Sequence, residues 1–212
     1  MKIALISGSP KVNNSVSGAL LKDLKSHLAK KAEIIEIGFH KTILSEEVLE
    51  ELKDADTLVF SCPLYVDGIP SHLLSCLIQL EKVSWQNPNI HTYGIVNCGF
   101  YEGIQAKFAL KLFENWCARS GCIFGGGVGI GGGGALNAAP TVKNGYGPKA
   151  PIDKALKILA DNIIQQRTQE NHYVSVAFPR FLYRMAGQMG WRQMIKENGG
   201  KAKDLGKRPD LL

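Results

Sequence analysis

Two hydrophobic patterns alternate along the chain, and each predicts a different element. Short apolar runs, typical of buried strands in a parallel sheet, alternate with segments in which apolar residues recur at helical spacing. The predicted strands are Lys2–Ser9, Glu33–Gly38, Thr57–Cys62, Thr92–Cys98 and Cys122–Ile130. The predicted helices are Val16–Lys31, Ser45–Lys53, Ser71–Leu80, Ile104–Arg119 and Ile152–Gln166.

The regular alternation of strand and helix predicts an α/β fold. Such units join through right-handed crossovers into a parallel sheet with helices on both faces. Five strands of a doubly wound sheet can adopt the order 2-1-3-4-5, and ligands then bind at the carboxyl ends of strands 1, 3 and 4. The segments that follow these three strands are therefore the first place to look for chemistry.

The end of the chain differs in charge from the rest. We expect one domain over residues 1–170 and a helical extension over residues 171–212, which holds eight of the 25 Lys and Arg residues but only three of the 19 acids. Apolar residues recur there at helical spacing, which predicts an amphipathic helix whose cationic face contains Arg180, Arg184 and Arg192. We favour packing of this helix on the domain or on a partner subunit over contact with an anionic membrane or a role as a cover of the ligand site.

Composition and scattered reactive residues argue against several function classes. Apolar residues make up 45% of the chain and charged residues 21%, and no apolar run is long enough to span a membrane. The N-terminus carries no export signal, so we expect a cytoplasmic protein with reduced cysteines. The five cysteines form no C-x-x-C pair, and the five histidines stand in no motif with Asp or Cys. We therefore expect no metal site and assign no catalytic side chain.

The loop after the first strand, SGSPKVNNSVSG (residues 7–18), is rich in small hydroxyl and amide side chains. It precedes a helix, whose first N–H groups have no partner within the helix, so the segment favours binding of a phosphate. It lacks the G-x-x-x-x-G-K-[ST] pattern of a P-loop. The alternative is an ordinary helix cap at Asn14 or Ser15.

The loops after the third and fourth strands offer different groups. CPLYVDGIPS (residues 62–71) combines apolar and aromatic side chains with two prolines, which suits a flat heteroaromatic ring. The alternative is a packed loop whose Tyr65 faces the core. NCGFYEG (residues 97–103) adds an amide side chain and a glycine that allows close approach to the backbone.

A glycine run, GGGVGIGGGGAL (residues 125–136), contains the G-x-G-x-x-G spacing at Gly127, Gly129 and Gly132. A dinucleotide fingerprint requires this spacing after the first strand of a βαβ unit, with a helix beginning inside the motif and a further strand beyond it. Here the strand is the last of the five predicted, and residues 137–140 argue against an immediate helix. We interpret the match as accidental and expect these glycines to allow a close approach of other backbone.

Together, these segments resemble the flavodoxin-like NAD(P)H-dependent FMN reductases, a family that includes many quinone and azo-compound reductases. The resemblance covers about residues 1–165 and is carried by GSPKVNNS, PLYVDGIPS, NCGFYEG and the glycine run. It implies a flavodoxin-like fold, FMN as cofactor, NAD(P)H as co-substrate and a homo-oligomer, commonly a dimer.

The resemblance also implies roles for individual residues. The FMN phosphate would be held by Ser9, Lys11, Asn13, Asn14, Ser15 and Val16. The isoalloxazine ring and ribityl chain would lie against Pro63, Leu64, Tyr65 and Val66. The pyrimidine edge of the ring would meet Asn97, Cys98, Gly99, Tyr101 and Glu102. Many members have Arg where this chain has Lys11, so the phosphate contact differs at that position.

The implied activity is hydride transfer from NAD(P)H through bound FMN to a quinone, azo, nitro or flavin acceptor by a ping-pong mechanism. The expected partner is thus a small-molecule electron acceptor and not a nucleic acid. The main alternative is a flavodoxin-type electron carrier without nicotinamide turnover, although such carriers commonly present an acidic face and this chain has a net charge of +6. A receiver-type regulatory domain is less consistent, because the first strand ends in Ser-Gly-Ser and not in acidic residues.

Overall fold

Six parallel strands form one sheet in a computed structural model that describes residues 1–29, 31–138 and 145–207. The strands are β1 (Lys2–Ser7), β2 (Glu33–Gly38), β3 (Thr57–Pro63), β4 (His91–Asn97), β5 (Ile123–Ile130) and β6 (His172–Val174). Their order is β2-β1-β3-β4-β5-β6, and each neighbouring pair is parallel.

The sixth strand corrects the predicted five-stranded sheet. Strand β6 has only three residues and pairs with Val128–Ile130 of β5. Its brevity leaves no hydrophobic period to detect, and from the sequence we placed these residues in the C-terminal extension. The predicted order of the first five strands is confirmed, and β6 extends the sheet beyond β5.

The α-helices of the described residues include all those that the pattern predicts. They are α1 (Val16–Leu28), α2 (Glu46–Lys53), α3 (Ser71–Leu80), α4 (Lys107–Ser120), α5 (Gly133–Ala138), α6 (Ala150–Ile164) and α7 (Arg180–Glu197). Helix α1 begins where it does because the Ser15 side chain accepts a hydrogen bond from the N–H of Gly18, which is a standard N-cap. Helix α4 ends at Gly121, whose φ of 72° suits glycine.

Both faces of the sheet are buried, as the continuous apolar runs predict. Helix α1 contacts α6 and the central strands. A separate cluster packs residues of α2, α3 and α4 against alternate positions of the strands. At its centre, the ring of Phe60 stacks on Phe113 at 5.4 Å between centroids and meets Trp116 edge-on at 5.7 Å. All five cysteines are buried.

The chain divides into two compact units, Met1–Ala177 and Phe178–Leu212. The second unit contains α7 and a 3-10 helix at Ala202–Gly206. The predicted charge of the extension includes residues 208 and 210, which lie outside the described residues. Residues 139 and 140, which belong to the segment expected to prevent a helix after the glycine run, also lie outside them. Among the described residues, no helix combines the length and apolar character needed to cross a membrane.

Candidate functional site

Three loops meet at the carboxyl edge of the sheet, after β1, β3 and β4. The N–H of Gly8, in the first loop, donates to the carbonyl of Ser61 at 2.8 Å. The N–H of Leu64, in the second loop, donates to the carbonyl of Asn97 at 2.8 Å. The structure therefore brings together the three segments that the strand order singles out.

A chain of buried hydrogen bonds ties the first turn of α1 to β3 and β4. The Ser17 hydroxyl donates to Asn97 Oδ1 at 2.8 Å, and the Ser61 hydroxyl donates to the Ser17 carbonyl at 3.0 Å. All three residues are buried. The sequence presents Ser17 only as one of several loop hydroxyls and gives no sign of Ser61, whose role depends on the register between β1 and β3.

The first loop presents donors around an open turn. Ser9 is buried, whereas Lys11, Asn13 and Asn14 are exposed. Asn14 adopts a φ of 54°, a conformation that Asn tolerates better than most residues. Within the described part of the chain, no hydrogen bond engages the N–H groups of the first helical residues, Val16 and Ser17. These N–H groups and the nearby Lys11 make the turn electropositive.

His40 supports this loop from the end of β2. Its Nδ1–H donates to the carbonyl of Ser9 at 2.8 Å. From the sequence we expected a surface or loop histidine. Because β2 and β1 are neighbours and the N–H of Phe39 donates to the Ser7 carbonyl at 2.8 Å, the residue after Phe39 arrives beside the first loop. Strand order is the signal that could have indicated this contact.

The second loop folds into a tight, strained turn. Tyr65 and Gly68 exchange two backbone hydrogen bonds of 2.9 and 3.0 Å, and the residues between them, Val66 and Asp67, have φ values of 47° and 61°. A positive φ is costly for a β-branched residue. The turn leaves Val66 fully exposed and Tyr65 49% exposed, so the alternative with Tyr65 in the core is wrong. Pro63 and Leu64 are partly buried beneath it.

The third loop combines a buried start with an open glycine. Asn97 and Cys98 are buried, and burial raises the pKa of the Cys98 thiol, which therefore stays protonated at neutral pH. Gly99 is exposed, and a methyl group on its Cα would meet no atom within 4 Å. Tyr101 and Glu102 are half-buried. Space for a further group thus lies beside the backbone of this loop.

The glycine run packs directly behind the third loop. A Cβ on Gly131 would lie 2.1 Å from the carbonyl oxygen of Tyr101, and one on Gly129 would lie 2.7 Å from that of Gly103. The N–H of Gly133 donates to the carbonyl of Cys98 at 2.8 Å. The glycines therefore allow the third loop to lie against β5 and the residues that follow it.

Two sequence-based expectations about this run are wrong. Helix α5 begins at Gly133, directly after the motif and within the glycine run, and β6 follows β5 in the sheet. The packing still differs from a dinucleotide fingerprint, because Gly127 and Gly129 lie within β5 and not in a turn between strand and helix. A Cβ on Gly127 would lie 2.6 Å from the Gly94 carbonyl oxygen of the neighbouring strand.

Comparison with known proteins agrees with this architecture. Residues 1–75 match the family model described as a flavodoxin-like fold. No curated protein sequence matches the chain.

Three solved structures illustrate the similarity. A flavodoxin from Streptococcus pneumonia TIGR4 has a TM-score of 0.56 at 10% identity, over 78% of this chain and 99% of the other. A WrbA-like protein described as a flavodoxin, from Agrobacterium tumefaciens, has a TM-score of 0.53 at 14% identity. This match covers 78% of this chain and 98% of the other. An azoreductase from Bacillus anthracis str. Sterne has a TM-score of 0.50 at 16% identity, and the match covers 78% of this chain and 99% of the other.

At these identities the likeness establishes the fold. The resemblance drawn from SGSPKVNNS and the strand pattern is confirmed at that level, with a sixth strand added. The chain has a flavodoxin-like fold, and its first 75 residues match the family model of that fold.

Proposed function

We propose that this chain is an FMN-dependent oxidoreductase that takes hydride from NAD(P)H and reduces a small quinone, azo, nitro or flavin acceptor. The observation that carries the proposal is the convergence of three loops with complementary chemistry at one edge of the sheet. One loop offers unpaired N–H groups and a cation, the second an exposed aromatic turn, and the third an open stretch of backbone.

The first loop fits the phosphate of FMN. The N–H groups of Val16 and Ser17 point along the N-terminal end of α1, where the helix dipole favours an anion. Lys11 adds a positive charge, and the side chains of Asn13, Asn14 and Ser15 add polar groups at the same turn. His40 donates a hydrogen bond to the Ser9 carbonyl and so anchors the start of the loop to the residues after β2.

The second and third loops fit a flat ring. Tyr65 and Val66 present an exposed apolar surface. Gly99 leaves room for an atom to approach the backbone between Cys98 and the half-buried pair Tyr101 and Glu102. Burial of a ring against these groups would remove apolar surface from water.

FMN, when bound, supplies the hydride chemistry, so the protein needs to bind, orient and expose it and needs no acid–base triad. The exposed side of the Tyr65–Val66 turn leaves access for NAD(P)H and then, after its release, for the acceptor. This arrangement predicts ping-pong kinetics. The homo-oligomeric state and the cytoplasmic location stay predictions.

The visible spectrum of the purified protein, with and without added FMN, tests the proposal first. We expect flavin absorption bands that remain with the protein on gel filtration, followed by steady oxidation of NAD(P)H with a quinone. Lys11→Ala should weaken FMN binding. Lys22→Ala should not, because Lys22 is an exposed residue of α1 that lies outside the loop. Absence of FMN binding would refute the proposal, and bound FMN without NAD(P)H turnover would favour the electron carrier.

A further inference from the structure

One side of helix α7 mixes cationic and apolar side chains. Its positions follow the i, i+3, i+4, i+7 spacing of a single helical face. This basic-apolar face borders an open groove of about 390 Å³ lined by Phe181, Arg184, Met185, Gln188, Met189 and Arg192. The opposite side carries Ala186, Gly190, Gln193 and Glu197 together with the larger Tyr183 and Met194, so the cations are what distinguish the basic-apolar face.

The apolar side chains of this face are open to water. Phe181 and Met189 are each 65% exposed, and Met185 and the neighbouring Trp191 are each 55% exposed. No residue of α7 is buried. Large apolar side chains clustered on one surface mark an interaction site more often than scattered ones do.

Charge indicates what would cover the face. The extension over residues 171–212 carries eight Lys and Arg residues against three acids, so most of the chain's net charge of +6 arises there. Two of those acids already have partners, since Glu197 accepts a hydrogen bond from Gln193 at 2.9 Å and Asp204 pairs with Lys207 at 2.9 Å. An anionic occupant is therefore complementary, and a second copy of the nearly neutral first unit is not.

The combination of cationic and apolar side chains on this face distinguishes between two kinds of anionic partner, a nucleic acid and a lipid bilayer. A nucleic acid offers phosphates and rings but no aliphatic surface for methionine side chains. A bilayer interface offers phosphate groups at the level of arginine and lysine and acyl chains beneath them. Trp191 also suits this depth, because tryptophan favours the boundary between headgroups and hydrocarbon.

We propose that the basic-apolar face of α7 docks the protein reversibly on an anionic lipid bilayer, with α7 lying in the interface and not crossing it. The sequence alone favoured packing of this helix on protein. The exposed side chains of Phe181, Met185 and Met189, together with the charge of their unit, are the grounds for proposing lipid. The proposal is independent of FMN binding.

Co-sedimentation of the full-length protein with vesicles tests it. We expect binding to vesicles that contain phosphatidylglycerol, weak binding to pure phosphatidylcholine vesicles, and loss of binding as salt is raised. Arg184→Gln with Arg192→Gln should weaken binding about 30-fold, because each cation near an anionic surface contributes about 1 kcal/mol. The matched control, Lys154→Gln with Lys157→Gln, removes the same charge from the exposed side of α6 and should bind almost normally.

Fluorescence supplies a second measurement. Trp191 should shift to shorter wavelength on binding, and Trp191→Phe should abolish the shift, since Trp85 is half-buried and Trp116 is buried. Circular dichroism checks that each variant remains folded. Equal binding to neutral vesicles, equal loss in the α6 control, or absence of binding would overturn the proposal. A different result would also overturn it: the protein is a dimer, Phe181→Ser with Met189→Ser dissociates the dimer, and vesicle binding persists in that variant. A second copy would then cover the face.

Discussion

Replacing Gly131 with alanine tests whether the glycine run holds the third loop of the site in place. The new methyl carbon would lie 2.1 Å from the carbonyl oxygen of Tyr101, and 2.7 Å from both the carbonyl carbon of Glu102 and the backbone nitrogen of Gly103. All three neighbours are backbone atoms, so no side-chain rotation relieves the overlap. Gly131 itself is held by the hydrogen bond that its N–H donates to the Val174 carbonyl at 2.8 Å.

The size of the effect follows from these distances. An ordinary contact requires a separation above about 3 Å, so the loop or β5 must move by about 1 Å. Overpacking of this kind typically costs 1–3 kcal/mol, and the rigid surroundings place Gly131→Ala at about 2–3 kcal/mol. Because the displaced segment contains Gly99 and Tyr101, FMN affinity should fall by at least about tenfold, which corresponds to about 1.4 kcal/mol.

Urea unfolding followed by circular dichroism measures the stability change, and titration with FMN followed by flavin fluorescence measures the affinity. Gly187→Ala is the control, because its methyl group would meet no atom within 4 Å and the residue lies outside the three loops. A loss of less than about 0.5 kcal/mol in Gly131→Ala, or an equal loss in the control, would refute this account of the glycine run.

Three further predictions concern other parts of the first unit. Ser17→Ala should lower the free energy of unfolding by about 1–2 kcal/mol in urea melts, because it leaves the buried Asn97 Oδ1 without its donor at 2.8 Å. Val66→Asn should raise that free energy by about 0.5–1 kcal/mol, since Asn tolerates a φ of 47° better than Val. Burial raises the pKa of Tyr93 from 10.0 to about 12, so the stabilising contribution of its phenol should be complete below pH 10 and be lost as the pH rises towards 12. Over this pH range, the free energy of unfolding of the wild type should therefore fall more steeply than that of Tyr93→Phe.

Each of these predictions has a contrary result. Ser26→Ala removes an exposed hydroxyl from the same helix, so a loss equal to that of Ser17→Ala would show that the buried chain contributes nothing. A less stable Val66→Asn protein would mean that the valine side chain makes contacts that its full exposure does not indicate. Identical pH profiles for the wild type and Tyr93→Phe would show that the phenol is not protected in the fold.

Much of the architecture follows from local pattern. The apolar runs of β1, β3 and β4 and the helical periods of α1, α3 and α4 are long enough to be read without tertiary context. Ser15 marks the start of α1 through its cap, and the alternation of strand and helix implies parallel pairing. The positions of the three loops at one edge also follow, because carboxyl ends of parallel strands share an edge.

Other features depend on residues distant in sequence. Strand β6 is a strand only because β5 offers an unpaired edge to three residues at 172–174. His40 and Ser61 gained roles through the register of β2 and β3 against β1, which no local pattern encodes.

Sequence by itself therefore determined the elements, their order in the central sheet and the three loops of the candidate site, because hydrophobic period and capping act over a few residues. Tertiary structure decided what those loops touch. The glycines at 125–136 matched a nucleotide motif by spacing, yet the backbone packed against Gly127, Gly131 and Gly133 shows that they accommodate β4 and the third loop. Close packing joins segments far apart in the chain, and only the folded molecule specifies which ones meet.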